Sequence, residues 1–189
     1  MPLASLICAP CFINIAGKVT AILGREGQHS ILCIRTARQI PGQFPIAQTI
    51  RLILLHALYL CEDEFTVRQG VIFIGDFRGW GWANFKLEDQ KRIVDTVQHR
   101  LPLRYHAVFA VDTPWVFRTA FALLSPFMKA KFRERMRLIP STLLPDHVPL
   151  HVLPDFIGGA YVHDAPAVTA AVERMALALG HAASTTASA

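Results

Sequence analysis

Six basic residues and one acid lie between Arg118 and Arg137, and their surplus of five positive charges equals the net charge of the whole 189-residue chain. Five of the bases form the segment that we call the basic strip: Lys129, Lys131, Arg133, Arg135 and Arg137. A largely apolar run, residues 116–124, comes shortly before it. Cations beside an apolar helix are typical of a surface that docks on anionic lipid, so the pattern predicts contact with phosphate groups or an acidic membrane. The ordinary alternative is a solvated charged face.

Two carboxylates, Asp76 and Asp112, each follow an apolar run. α/β enzymes commonly place catalytic groups at such positions, where a buried strand ends. Neither carboxylate has a partner at catalytic spacing, and the chain contains no Gly-x-Ser-x-Gly, phosphate-loop or His-Glu-x-x-His motif. We therefore interpret Asp76 as a loop cap and Asp112 as a residue that fixes the turn before Pro114, and we expect no catalytic residue and no enzyme activity.

Metal, redox and nucleic-acid chemistry fit the chain poorly. His147, His151 and His163 are too loosely spaced for a zinc site, so we expect no metal and no cofactor. Cys8 and Cys11 have the spacing of a redox pair, but almost no chain precedes them, and we interpret the cysteines as structural thiols in a reducing compartment. Because the basic strip is short and lies beside an apolar helix, we expect no nucleic-acid partner.

The composition predicts one domain with an unusually apolar interior. Hydrophobic residues make up 52% of the chain and charged residues only 17%, so either the sheet is buried on both faces or the protein lines a cavity. No apolar run reaches the roughly 18 to 20 residues that a membrane-spanning helix needs. The apolar first sixteen residues lack the basic start of a signal peptide. We expect a cytoplasmic protein that binds membranes peripherally.

Apolar runs alternate with amphipathic ones along the chain. Strands are predicted at residues 30–35, 70–76 and 105–111, and helices at 46–61, 87–101 and 115–124. Residues 129–138 alternate basic and mostly apolar side chains, which predicts a helix that passes into a strand. The alternation predicts an α/β fold with a largely parallel sheet and helices on its faces. We divide the chain into an N-terminal apolar segment (1–20), the domain (21–164), and a C-terminal helix with a disordered tail (165–189).

Three ordered motifs carry a resemblance to a known family. They are GVIFIGDFRGW from Gly70, AVFAVDTPWVFRTAFALLSPFMKAKFRERMRL from Ala107, and LPDFIGG from Leu153. Together they resemble the CRAL-TRIO lipid-binding domain of phosphatidylinositol and tocopherol transfer proteins, over roughly Gly24 to Asp164. The resemblance implies a sheet floor and a mobile gating helix that enclose a hydrophobic cavity, from which one ligand is exchanged at a membrane.

The resemblance also implies which residues form each site. A lid would comprise Phe117, Ala120, Phe121, Leu124, Phe127 and Met128, while Val71, Phe73, Val111 and Trp115 would face or border the cavity. Lys131 and Arg135 match the positions that contact phosphoinositides in some relatives, and their i, i+4 spacing predicts one helical face that grips a single phosphate. The expected partners are a hydrophobic molecule or phospholipid and an anionic membrane. A protein-interaction or regulatory domain with a collapsed cavity and an acidic protein partner is the alternative.

Overall fold

A computed structural model of the chain describes residues 20–26, 29–43 and 45–162, with helical residues at 166, 170, 173–175 and 177–178. The expectations for the N-terminal segment, the tail, Cys8, Cys11 and His163 fall outside the described residues. The strands are β1 (Thr20–Glu26), β2 (His29–Arg35), β3 (Val71–Asp76), β4 (Tyr105–Val111) and β5 (Met136–Ile139). The α-helices are α1 (Ile46–Cys61), α2 (Glu64–Gln69), α3 (Leu87–His99), α4 (Trp115–Leu124) and α5 (Ala130–Arg135).

The predicted α/β architecture is confirmed. The five strands form one sheet in the order β1-β2-β3-β4-β5, in which β1 and β2 are antiparallel and β2 to β5 are parallel. Helices α1 and α2 connect β2 to β3, α3 connects β3 to β4, and α4 and α5 connect β4 to β5. Each parallel pairing needs such a crossover because parallel strands cannot be joined by a tight turn. Among the described helices, none is long and apolar enough to cross a bilayer.

Prolines mark the element boundaries that matter for the site. Helix α1 begins directly after Pro45, and α4 begins after Pro114 and ends before the short 3-10 turn that contains Pro126. These positions suit proline because its ring fixes φ and the missing N–H is not needed at the start of a helix. The basic residues at 129–135 form the short helix α5, which passes directly into β5. The predicted helix-to-strand transition is therefore present.

The two faces of the sheet are covered differently. On one face, Ile31, Cys33, Ile74 and Val111 pack against Leu144, Val148, Leu153 and Ile157 from the irregular segment that follows β5. This segment carries two of the 3-10 turns, Ser141–Asp146 and Asp155–Ile157. The other face is covered by the helices. The first face holds a continuous packed core, so the helical face is where the fold leaves room for a ligand.

A β-bulge at His106 changes which side chains of β4 reach the helical face. Val71 pairs with Tyr105, but the next residue of β3, Ile72, pairs with Ala107, so β4 carries one extra residue. An extra residue reverses the alternation of side chains beyond it. Tyr105 therefore faces the helices, whereas Ala107, Phe109 and Val111 pack on the opposite face.

Candidate functional site

A cavity of about 200 Å³ lies between the sheet and helices α1, α3 and α4. Its wall is almost entirely apolar. The sheet contributes Leu32, Ile34, Phe73, Tyr105 and Met136, α1 contributes Leu52, Ile53, His56 and Ala57, and α3 contributes Ile93, Val94 and Val97. A concave apolar wall with a few polar groups is the usual form of a site for a hydrophobic small molecule.

Helix α4 covers the cavity with a single apolar stripe. Phe117, Ala120, Phe121 and Leu124 line the cavity, and their spacing of three, four and seven residues places them on one helical face. Ala120 and Leu124 are buried, whereas Phe121 is only partly buried. The stripe continues into Met128, which also lines the cavity. The residues predicted to form a lid are thus brought together over the cavity, with the exception of Phe127.

Aromatic rings hold the first half of α4. The Phe117 ring lies 4.3 Å from that of Phe77 and 5.9 Å from that of Trp80, both in edge-to-face geometry, and 5.9 Å from that of Phe121. Such pairs add about 0.5–1.5 kcal/mol each beyond the burial of their area. Trp80 belongs to the polar, glycine-rich turn after β3. The N-terminal half of α4 is therefore fixed to that turn.

Four of the predicted cavity residues lie elsewhere. Val71 is fully buried behind the wall, against Leu32 and Leu60. Val111 lies in the core on the opposite face, because the bulge at His106 reverses the alternation of β4. Trp115 is 72% exposed, since it precedes the lining residue Phe117 by two positions and points away from the cavity. Phe127 is 49% exposed, and the Lys91 Nζ lies 4.5 Å from the centroid of its ring in a cation–π contact.

The basic strip follows α4 in the chain, but its five side chains do not form one surface. Lys131 and Arg133 are exposed on α5, and the Arg133 side chain donates to the carbonyl oxygen of Ser125 over 3.5 Å. Lys129 contacts Gln98 of α3 through its backbone N–H and its Nζ. Arg137 lies on β5 next to Met136, and strand alternation directs it to the face opposite the cavity that Met136 lines. In the described part of the chain, no cation of the strip pairs with a carboxylate.

Arg135 has a structural contact that its spacing does not reveal. Its side chain is partly buried, and an Nη atom donates to the carbonyl oxygen of Tyr105 over 2.5 Å. This bond joins α5 to the start of β4. Arg135 is therefore engaged within the fold, whereas Lys131 is exposed, so the two residues differ in exposure although their i, i+4 spacing is that of one helical face.

The family comparison matches most of this architecture. The CRAL/TRIO domain model matches residues 16–159, which include the sheet, the cavity wall and helix α4. The chain belongs to the CRAL/TRIO domain family. This is a family of lipid-binding and lipid-transfer domains, and the predicted resemblance is confirmed.

Several proteins are similar in sequence to this CRAL/TRIO domain. The alpha-tocopherol transfer protein-like protein of Mus musculus is 33% identical over 134 residues, which cover 68% of this chain and 39% of that protein. Tyrosine-protein phosphatase non-receptor type 9 of Homo sapiens is 29% identical over 146 residues, 77% of this chain and 25% of that protein. The chain therefore spans two fifths or less of the length of these relatives. The crystal structure of Sfh5 shares the fold, with a TM-score of 0.59, 15% identity and coverage of 71% of this chain and 52% of that one.

The contributions of helices α1 and α3 to the wall of this CRAL/TRIO cavity were not predicted from the sequence. The sequence predicts helices at 46–61 and 87–101, but it assigns neither of them to a site. A helix that is apolar on nearly all sides, as α1 is, needs a second buried face besides the one on the sheet. That pattern is the signal that could have assigned α1 to the cavity. The α3 contribution depends on how α3 packs against α1 and α4, which the spacing within one helix does not contain.

The two acidic residues at the strand ends serve the fold of this CRAL/TRIO domain. Asp76 is buried and accepts hydrogen bonds from the backbone N–H and the guanidinium of Arg78, as a loop cap does. Asp112 instead accepts from the backbone N–H of Ser141 over 2.8 Å, so it fixes the segment after β5 rather than the turn before Pro114. In the described residues, no three His, Cys, Asp or Glu side chains are arranged to hold a metal ion.

His56 is the buried titratable base of the cavity wall. It is 1% exposed on α1, and its Nδ1 lies 2.7 Å from the carbonyl oxygen of Leu52. Burial lowers the pKa of His56 from 6.5 to about 4, and the backbone hydrogen bond opposes this only in part. The imidazole is therefore neutral at physiological pH. No sequence pattern distinguished His56 from the apolar residues around it.

The depressed pKa of His56 predicts acid sensitivity. The unfolded chain takes up a proton near pH 6.5, but the folded chain only near pH 4, so the stability contributed by the neutral ring is complete above pH 6.5 and is lost as the pH falls towards 4. Between about pH 7.5 and about pH 5 we expect the free energy of unfolding to fall by about 2 kcal/mol more in the wild type than in His56→Gln. Urea denaturation at each pH measures this difference, and parallel pH profiles would contradict it.

Proposed function

We propose that this domain binds one hydrophobic or amphipathic lipid in the cavity beneath α4 and acts without catalysis. The observation that carries the proposal is the cavity itself, whose apolar wall is drawn from the sheet and from four helices: α1, α3, α4 and, through Phe132, α5. Apolar burial contributes about 0.8 kcal/mol for each CH₂ group removed from water. A hydrocarbon chain therefore supplies its own binding energy, and no chemical step is needed for the site to work.

The size of the cavity requires the gate to move. Its volume of about 200 Å³ is below the roughly 300–1,000 Å³ typical of pockets for drug-sized ligands. A lipid therefore enters by displacing part of the wall. Helix α4 supplies the movable part, because its end is bounded by the 3-10 turn at Ser125–Phe127 and its side chains Phe121 and Leu124 face the cavity. Loading and release are, in this proposal, one motion of the second half of α4.

The outer side of the gate suits a membrane surface. Trp115, Leu123 and Phe127 are 72%, 48% and 49% exposed, and the cations of α5 follow directly. Exposed aromatic and aliphatic side chains insert into the interfacial region of a bilayer, and nearby cations are attracted to anionic headgroups. We therefore infer peripheral docking on acidic or phosphoinositide-containing membranes, from the cytoplasmic side. Docking in this orientation would bring the moving end of α4 to the lipid that it exchanges.

Native mass spectrometry of the purified protein tests the ligand proposal. We expect a population that carries one lipid molecule, which organic extraction identifies. The physical reason is that an apolar ligand held under a closed gate dissociates slowly into water. Protein that stays empty after incubation with lipid vesicles would contradict the proposal and favour the alternative, a protein-interaction or regulatory domain with a collapsed cavity.

Charge reversal on α5 tests the docking proposal. Lys131→Glu combined with Arg133→Glu should weaken binding to phosphatidylcholine vesicles that contain a phosphoinositide by at least about tenfold, since each cation near an anionic surface contributes about 1 kcal/mol. Arg135 is left intact because it holds Tyr105. Vesicle cosedimentation measures the binding, and added salt should reduce it for the wild type.

The matched control changes the same charge elsewhere. Arg38→Glu combined with Arg68→Glu alters two exposed arginines outside the gate, in the 3-10 turn Thr36–Arg38 and at the end of α2. This variant should keep vesicle binding within about threefold of the wild type, apart from the general effect of net charge. Equal losses in the two double variants would show that net charge, and not the position of α5, governs the interaction.

A further inference from the structure

The polar groups on the cavity wall differ in whether the fold already uses them. The Thr36 hydroxyl donates to the carbonyl oxygen of Asp76 over 2.6 Å, and Gln90 Nε2 lies 3.5 Å from the carbonyl oxygen of Asn84. His56 Nε2, by contrast, is buried with no hydrogen-bond partner among the described residues. Of the four buried side-chain atoms with this property in the described part of the chain, only this one belongs to a residue that lines the cavity.

The contact of the other ring nitrogen determines what Nε2 can bind. Nδ1 lies 2.7 Å from the carbonyl oxygen of Leu52, and a carbonyl oxygen only accepts hydrogen bonds. Nδ1 therefore carries the proton. In a neutral imidazole the second nitrogen is then an acceptor, and it lies at the corner of the ring farthest from the helix backbone. His56 therefore gives the mostly apolar wall one buried acceptor that no described residue uses.

We propose that His56 Nε2 accepts a hydrogen bond from a hydroxyl group of the bound lipid, so that the cavity selects lipids that bear a hydroxyl in the part they bury. This inference rests on the proposed ligand-binding function and names the ligand class of the same cavity. A buried acceptor without a partner destabilises the empty protein, and a ligand hydroxyl removed from water without a partner is unfavourable as well. Bringing the two together relieves both costs at once.

The same geometry disfavours other polar groups at this position. Carboxylate, phosphate and ester oxygens are acceptors, so the lone pair of Nε2 would repel them. Protonation of the ring would make Nε2 a donor, but burial opposes the charged form, as the lowered pKa of His56 shows. The cavity wall supplies no acidic side chain to stabilise an imidazolium. Anionic groups of a ligand therefore belong outside this part of the cavity.

A matched pair of probes tests the proposal. 1-Dodecanol can donate a hydrogen bond, whereas dodecyl methyl ether has the same chain and can only accept one. The preference is the ratio of the Kd of the ether to the Kd of the alcohol, measured by calorimetric titration of the full chain. We expect His56→Leu to reduce this ratio at least tenfold and His56→Gln, whose amide oxygen can accept, to keep it within about threefold of the wild type. Comparing variants cancels the different hydration of the two probes.

Each outcome decides between distinct possibilities. A ratio that is the same in the wild type and in His56→Leu, with both probes binding, overturns the role of His56 and leaves the proposed lipid-binding function standing. Failure of both probes to bind the wild type overturns both. If His56→Leu does not fold, the ¹⁵N resonance of His56 Nε2 in the wild type is measured instead. The alcohol should shift this resonance and the ether should not. Equal responses to both probes would overturn the proposal.

Discussion

The Phe121→Asp variant should purify without lipid and should bind added lipid at least a hundredfold more weakly than the wild type. Phe121 lines the cavity on the face of α4 that covers it. A carboxylate there faces hydrocarbon, and burying an unpaired charge costs several kcal/mol, whereas about 2.8 kcal/mol already corresponds to a hundredfold change in affinity. The cavity must then either admit water or exclude the ligand. Native mass spectrometry before and after incubation with vesicles measures the loss.

Thr119→Asp is the matched control for this variant. Thr119 lies on the same helix but is exposed, so the same carboxylate would stay in water. We expect this variant to keep its lipid, and both variants to show the circular dichroism of a folded α/β protein. If Phe121→Asp is folded and still loads lipid like the wild type, α4 is not the cover of the binding site.

Gly159→Ala should destabilise the domain by at least about 3 kcal/mol, which corresponds to a fall of roughly 6 to 12 °C in Tm for a chain of this length. A Cβ at this position would overlap the carbonyl group and the Cβ of Leu153. Leu153 is 1% exposed in the core on the face of the sheet opposite the cavity, so neither group can move aside freely. Thermal denaturation followed by circular dichroism measures the effect.

The adjacent glycine separates steric overlap from backbone strain. Gly158 has a φ of +91°, but a Cβ there would meet no atom within 4 Å. Gly158→Ala should therefore cost only about 1 kcal/mol, the penalty of a left-handed conformation for alanine. Equal losses in the two variants would mean that the backbone conformation of this turn, and not the close approach to Leu153, makes its glycines necessary.

Local patterns predicted most of the fold. The apolar runs at 70–76 and 105–111 correspond to β3 and β4, and Pro45, Pro114 and Pro126 mark the limits of α1 and α4. Each of these signals lies within a few residues of the feature that it predicts. The stripe of Phe117, Ala120, Phe121 and Leu124 was implied by the family resemblance, and its spacing places the four side chains on one helical face.

Features that depend on distant parts of the chain were not predictable in this way. Val111 was assigned to the cavity, yet the bulge at His106 turns it to the other face, and the bulge becomes visible only through the pairing with β3. Arg135 resembles Lys131 in sequence, but only the packing of α5 against β4 brings its guanidinium to the carbonyl of Tyr105. In both cases the deciding contact joins residues at least thirty positions apart.

Strand β5 has a consequence for the behaviour of the protein in concentrated solution. Among the described strands it forms one edge of the sheet and pairs only with β4, and it is four residues long with Arg137 exposed at its second position. Open sheet edges are templates on which a second molecule can add a strand, and short edges that carry charge resist this addition. Arg137, the last cation of the basic strip, is therefore placed to oppose aggregation, and its replacement by an apolar residue would first lower the solubility of the protein.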